Sequence, residues 1–188
     1  QFQQQFRKIS ELRYQLIPYI YTQAKLSADA GLPLLKALLL NYPEDPTVWT
    51  IEDAYLLGND LLIAPLMEFE TSERKVYLPE GRWIDLQTKH ILEGGQWHTI
   101  QSHYLPGIIL VKYGTLLPIA ERCQTTQFMN WHNITLVAFS DDAEEVKGNL
   151  YTPESDGISE IRANTFNTNT YTSSSESYSV IHYSKIDL

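Results

Sequence analysis

Two runs limit what this chain can fold into: Leu34-Leu35-Lys36-Ala37-Leu38-Leu39-Leu40 and Leu61-Leu62-Ile63-Ala64-Pro65. Each is apolar at nearly every position, so a strand made from either has no polar face to turn to water. Such strands occur where other layers cover both sides of a sheet. Both runs are too short for full helices. Pro33 opens the first and the turn Tyr42-Pro43-Glu44-Asp45-Pro46 closes it, while Gly58-Asn59-Asp60 turns the chain into the second. Between them, Ile51-Glu52-Asp53-Ala54-Tyr55 predicts one helical turn, with acids where a first turn favours them. The two runs are expected to be interior pieces of a larger α/β body.

Upstream, Phe2, Phe6, Ile9, Leu12, Leu16, Ile17, Ile20 and Ala24 follow a three-to-four spacing. That spacing predicts a helix over residues 3–29 with one buried stripe, ended by Gly31. Pro18 lies inside it, where it removes a backbone donor and crowds the preceding turn, so a kink between Tyr14 and Pro18 is expected.

After residue 70 the pattern becomes that of antiparallel β-structure, with strands predicted at 74–78, 82–87, 96–100, 107–112, 115–119, 134–139 and 147–151. Pro79-Glu80-Gly81, Glu93-Gly94-Gly95 and Tyr113-Gly114 supply turns between them. Seven short strands at this spacing predict a sandwich. The stretch 164–179, rich in Asn, Thr and Ser with alternating aromatics, reads as edge strands or a tail. The expected fold class is therefore mainly β: an antiparallel β-sandwich preceded by an α-helix and by two buried strands of an α/β layer that the sequence does not complete. The expected divisions are 1–66, 67–160 and 161–188.

Composition narrows the function classes. A formal charge of −9 repels polyanions, and no basic cluster longer than Arg7-Lys8 offers a phosphate-binding face, which argues against nucleic acid. Cys123 is the only cysteine, so no intrachain disulfide can form. That usage fits a cytoplasmic protein. No apolar run is long enough to cross a bilayer as a helix, and Gln1-Phe2-Gln3-Gln4-Gln5 lacks the charge and apolar core of a signal peptide, so no membrane partner is expected.

Several segments together resemble glycoside hydrolase family 31. Leu12-Arg13-Tyr14-Gln15-Leu16-Ile17-Pro18-Tyr19-Ile20-Tyr21 is similar to a late barrel helix of that family, internal proline included. Gly31 to Pro43 is similar to its closing barrel strand and Tyr-Pro exit. Asp53-Ala54-Tyr55-Leu56-Leu57-Gly58-Asn59-Asp60-Leu61-Leu62-Ile63-Ala64-Pro65 resembles the signature leading out of the barrel, and Val76 to Asp85 the proximal β-domain that follows. The order and spacing hold over residues 7 to 120. Gly148 to Gly157 resembles the Tyr-Glu-Asp-Asp-Gly turn of many α-glucosidase members only loosely, which inclines the reading toward an α-xylosidase-like member. Lys36 stands where the family commonly carries arginine, and an ammonium cannot reproduce a planar two-pronged contact.

The resemblance implies that the helix and the two buried strands come from the end of an incomplete (β/α)8 barrel, and that the chain is a C-terminal piece of a retaining, exo-acting α-glycosidase hydrolysing α-glucosides or α-xylosides, with lyase and transferase relatives in the same family. Its partners would be an α-linked oligosaccharide substrate and the remainder of the catalytic barrel. The two catalytic carboxylates would come from earlier barrel strands, so no catalytic residue is assigned to this chain. Asp45, Glu52, Asp53 and Asp60 all sit at turns or helix starts, where structural roles are usual.

His90, His98, His103, His132 and His182 lack metal-site spacing, Cys123 lacks a basic helix start, and no phosphate loop, nucleophile elbow or dinucleotide fingerprint occurs, so no metal or cofactor is implied. Among the tryptophans, Trp83 and Trp97 alternate with apolar neighbours and are expected in the core. Trp49 follows the closing barrel strand, at the end where active-site loops gather, and is the expected substrate-binding residue. The competing class is a non-catalytic carbohydrate-binding or scaffold β-domain, which would have to keep a helix and two apolar strands soluble without a barrel to cover them.

Overall fold

The structure, a computed structural model, describes residues 2–68, 70–141, 145–164, 171–173 and 176–185. It is mainly β, with two helices at the start. Helices α1 (Phe2–Gln15) and α2 (Ile17–Ala30) meet at Leu16, where the expected kink falls. Hydrogen bonds from Leu16 N to Leu12 O and from Ile20 N to Leu16 O bridge the joint. Pro18 sits in the first turn of α2, the one place in a helix where its missing N–H costs nothing. Gly31 closes α2 at φ 67°, a left-handed cap open to glycine without strain.

Fourteen strands follow among the described residues. β1 (Leu35–Ala37), β2 (Tyr55–Leu57), β3 (Leu61–Pro65), β5 (Arg82–Asp85), β6 (Ile91–Glu93) and β8 (Gly107–Lys112) form one sheet in the order β1-β2-β3-β8-β5-β6, all pairs antiparallel. β4 (Glu73–Leu78) and β7 (Gln96–Gln101) make a two-stranded antiparallel ribbon. β9 (Thr115–Ala120), β10 (Ile134–Phe139), β11 (Glu145–Leu150), β12 (Ser159–Asn164), β13 (Tyr171–Ser173) and β14 (Glu176–His182) form a second sheet in the order β12-β11-β9-β10-β14-β13. In that sheet β10 runs parallel to β14 and β11 parallel to β9.

The described residues group into two compact units: residues 1–5 with 33–113, and residues 6–32 with 114–188. The boundary expected at residue 66 falls inside the first unit, because β3 pairs with β8 along its whole length. The boundary expected at 161 is crossed as well, since β12 begins at Ser159 and pairs with β11, and β14 pairs with β10. Residues 165–170 and 174–175 of the 164–179 stretch lie outside the described residues.

The core of the first unit is built from Leu38, Leu56, Leu62, Val76, Leu78, Trp83, Ile108 and Leu110. Trp83, expected in the core, is fully buried and donates its indole N–H to Pro79 O at 2.9 Å, which settles its one polar atom. The core of the second unit joins Leu116, Ile134, Leu136, Val146, Ile161 and Val180. In that unit α2 packs on β9 and β11, and Thr22 ties it down: its hydroxyl accepts from Tyr151 N at 2.9 Å and donates to Pro18 O at 2.7 Å. Gly148 on β11 passes so close to Leu116 O that a Cβ would overlap it.

Two local expectations are corrected. The run Leu34–Leu40 gives only three residues of strand; Leu38–Leu40 turns into a 3-10 helix, because a uniformly apolar run carries no period to distinguish the two. The helical turn expected at Ile51–Tyr55 is instead coil leading into β2, and helical turns lie earlier, at Pro46–Thr50.

Candidate functional site

In the first unit the Tyr-Pro exit opens a cleft of about 620 Å³, lined by Asn41, Tyr42, Pro43, Glu44 and Asp45 on one side and by Tyr77, Glu80, Gly94 and Gly95 on the other. Asp45 organises it. One carboxylate oxygen caps the 3-10 helix Pro46–Thr50 by accepting from Thr47 N at 2.9 Å; the other accepts from the Tyr77 hydroxyl at 2.7 Å. Opposite, the turn between β6 and β7 is drawn in tightly. Gly94 N donates to Gly81 O at 2.6 Å, and a Cβ on Gly94 would collide with Pro79 O, so only glycine fits.

Both tyrosines of the cleft hold their protons more firmly than a free phenol. The hydrogen bond to Asp45 is the main cause at Tyr77, with burial behind it. Burial, then the charge of Asp60, pushes Tyr42 up to about 12. At neutral pH the lining is thus two neutral phenols, an amide and the carboxylates of Glu44, Asp45 and Glu80, with no lysine or arginine. Anionic ligands are disfavoured there, while neutral hydroxyl-rich ones find donors and acceptors.

Trp49, the expected substrate-binding residue, lies on the 3-10 helix that Asp45 caps and is 66% exposed. Its indole N–H donates to Pro43 O at 3.0 Å, which fixes one edge of the ring. It is not among the residues lining the cleft. Lys36 is buried on β1, and its ammonium donates to the Asn59 side-chain carbonyl at 2.5 Å. Asp53 pairs with Arg74, whose guanidinium also donates to Pro65 O at 2.7 Å; Arg74 thereby ties β4 to the end of β3 and to the coil before β2. Glu52 is exposed, and Asp60 O accepts from Lys112 N at 2.8 Å.

The histidines are scattered. His98 meets Glu93 O at 2.7 Å, His132 faces Glu154 at 3.5 Å, and His182 contacts Ser140 O, Ser184 and Asp141. No three His, Cys, Asp or Glu side chains among the described residues gather as a metal ion would require. Cys123 is a partly exposed free thiol. No helix among the described residues is long and apolar enough to cross a membrane.

Sequence reasoning did not foresee Tyr77 at the cleft or Trp97 at the surface. Trp97 is 45% exposed, against the core position expected for it. Alternation shows that a strand has two unlike faces, and both residues read as apolar; it does not show which face the ribbon turns to water.

Comparison with known proteins defines the class. Residues 31–122 match the model of the glycosyl hydrolase family 31 C-terminal domain. The chain is 31% identical over 149 residues to α-glucosidase 2 of Bacillus thermoamyloliquefaciens, which covers 73% of this chain and 19% of that protein. It is 38% identical over 118 residues to an isomaltosyltransferase of Sporosarcina globispora, covering 61% of this chain and 10% of that protein. Among solved structures, a family 31 dextranase of Flavobacterium johnsoniae in complex with isomaltotriose superposes with a TM-score of 0.73 at 33% identity, over 83% of this chain and 20% of that one. The chain belongs to glycoside hydrolase family 31. It spans about a fifth or less of the length of the relatives it matches.

Proposed function

We propose that the intact protein is a retaining, exo-acting α-glycosidase that hydrolyses α-glucosides or α-xylosides in the cytoplasm. Its nucleophile and acid sit on barrel residues outside these 188, and this chain closes and braces that barrel. The match of residues 31–122 to a C-terminal domain of the family carries the reading. Exposed apolar side chains support it in each unit: Leu35, Leu39 and Leu40 in the first, Phe6 and Ile9 in the second. Of the apolar stripe seen in the sequence, Leu12 and Leu16 are buried and Tyr19, Gln23 and Ser27 continue their face, whereas Phe6 and Ile9, nearer the start, are exposed. Apolar side chains left in water suit a helix made to pack against something further.

The chemistry needs two carboxyl groups about 5 to 5.5 Å apart, one attacking the anomeric carbon and one protonating the leaving oxygen, after which water attacks the glycosyl-enzyme. Asp45 is unsuited to either role, since Thr47 N and the Tyr77 hydroxyl already engage both of its oxygens. The isomaltosyltransferase relative supports a second outcome at the same intermediate, attack by a sugar hydroxyl in place of water. Trp49 is placed in this reading at the rim of the intact pocket, with its exposed ring offered to the substrate. Kinetics of the intact protein on p-nitrophenyl α-glucoside and α-xyloside test the proposal. Turnover of one of them is expected, with Trp49→Ala lowering kcat/KM on it by roughly tenfold, the size of one lost ring contact with its burial. A wild-type protein inert on both substrates would end the reading; an unaltered kcat/KM in Trp49→Ala would end the assignment of Trp49.

A further inference from the structure

The ribbon β4–β7 turns one face to water, and cross-strand register sets what that face carries: Glu73, Lys75 and Tyr77 from one strand, directly opposite Gln101, Thr99 and Trp97 from the other. All but Tyr77 are exposed. Trp97 is the one large apolar side chain left open on this face. Tyr77 backs its ring at 5.5 Å between centroids with the planes tilted by 60°, and the Lys75 ammonium lies over the ring 5.2 Å from its centroid. Gln101 donates to Glu73 at 3.5 Å. The indole is thus held by Tyr77 and overlain by the Lys75 amine, with the Thr99 hydroxyl at the next exposed position and the Glu73–Gln101 pair farther along the same face.

We infer that this face is an accessory carbohydrate-binding surface, separate from any catalytic pocket, on which one sugar unit of an α-linked glucan stacks over Trp97 with its hydroxyls bonding Lys75 and Thr99, while the units that follow along the ribbon reach Gln101 and Glu73. A protein partner would need a broad apolar centre, and this face has a single ring set in polar groups. A nucleobase would bring phosphates to a chain of net charge −9. A pyranose carries an apolar C–H face edged by hydroxyls and matches both features. Lys75 is no obstacle, because an exposed ammonium–ring contact is weak and the side chain can swing aside to donate to a hydroxyl. Tyr77 also lines the cleft at Asp45, so a chain of several sugar units lying across Trp97 would run toward that acidic, hydroxyl-compatible groove.

The choice of an α-linked glucan rests on the glycosidase reading above; the stacking surface itself does not. The test is titration of the 188-residue chain with maltoheptaose and with isomaltoheptaose, followed by tryptophan fluorescence and calorimetry. The expected result is saturable binding of one of the two, weakened about tenfold or more in Trp97→Ala and largely kept in Trp97→Tyr, since the ring contact is the main attractive element. Far-UV circular dichroism of the variants should match the parent, because the substituted side chain is half exposed. In the intact protein, Trp97→Ala should leave kcat/KM on p-nitrophenyl α-glucoside unchanged. No binding by the parent chain, or equal affinity in Trp97→Ala, would overturn the inference. Binding by the chain alongside an inert intact protein would instead overturn the glycosidase reading and leave the surface standing.

Discussion

Leu38-Leu39-Leu40 and Leu116-Leu117 have the same apolar chemistry and opposite fates. On β9, Leu116 and Leu117 are buried, and Leu136 and Val137 on the neighbouring strand β10 are fully so. In the first unit, by contrast, Leu38 is buried while Leu39 and Leu40 beside it, and Leu35 at 58%, stand in water at the edge of a sheet whose outermost strand is β1. An apolar run therefore states only that something must cover it. For β9 and β10 the cover lies within this chain; for β1 and the 3-10 turn after it, the barrel proposed above would supply it.

Substitutions on each side of this comparison should separate the two cases. Phe139, fully buried on β10 and stacked on Tyr183 at 5.7 Å, should cost about 3–5 kcal/mol when changed to alanine, through lost transfer and the cavity left behind. Urea unfolding of the chain measures it; a loss below about 1 kcal/mol would mean that the second unit is not closed around its own core.

A middle-sized effect is expected at Asp45, where the first unit is fastened next to its uncovered edge. Asp45→Ala removes a helix cap and the partner of the Tyr77 hydroxyl, a loss of about 1–2 kcal/mol. It should also bring the titration of Tyr77 down toward the ordinary phenol value, since the bond to Asp45 is what chiefly raises it. The sign follows from linkage. A phenol whose folded pKa is raised stabilises the fold fully below pH about 10 and loses that contribution as the pH climbs through the folded value, which for Tyr42 is about 12. Stability of the parent chain should therefore fall between pH 10 and 12, and less steeply in Asp45→Ala. Absorbance at 295 nm against pH, with unfolding followed in parallel, checks both; an unchanged tyrosine titration would mean that the Asp45–Tyr77 bond is not formed.

The smallest effect should be Leu39→Ala in this chain, within about 0.5 kcal/mol, as for an exposed position. In the intact protein the same change should cost about 2–5 kcal/mol once the side chain is covered. Equal, small losses in both would remove the idea that the barrel closes over this edge.

Much of the fold could be read before the structure. The strands at Leu61–Pro65, Gly107–Lys112 and Ile134–Phe139 fall where alternation or two-sided apolarity put them, and the helix joint follows from Pro18. Pairings between distant segments could not be read. The parallel register of β10 with β14 joins residues more than forty positions apart through backbone bonds that leave no mark on side-chain pattern. The pairing of β3 with β8, which sets the sheet across the expected boundary at 66, is hidden in the same way. The cleft was half visible: the Tyr42–Pro46 turn announces itself, but the opposite wall is made of glycines and Tyr77, whose meaning depends on what the fold brings against them.

In the proposed function the bond-breaking carboxylates belong to the intact protein and not to these 188 residues. Proton NMR of the sugar first released from an aryl α-glycoside, run side by side on the intact protein and on this chain, tests it directly. The α-anomer is expected from the intact protein and no release from the chain; release of sugar by the chain alone would mean that its own residues break the bond.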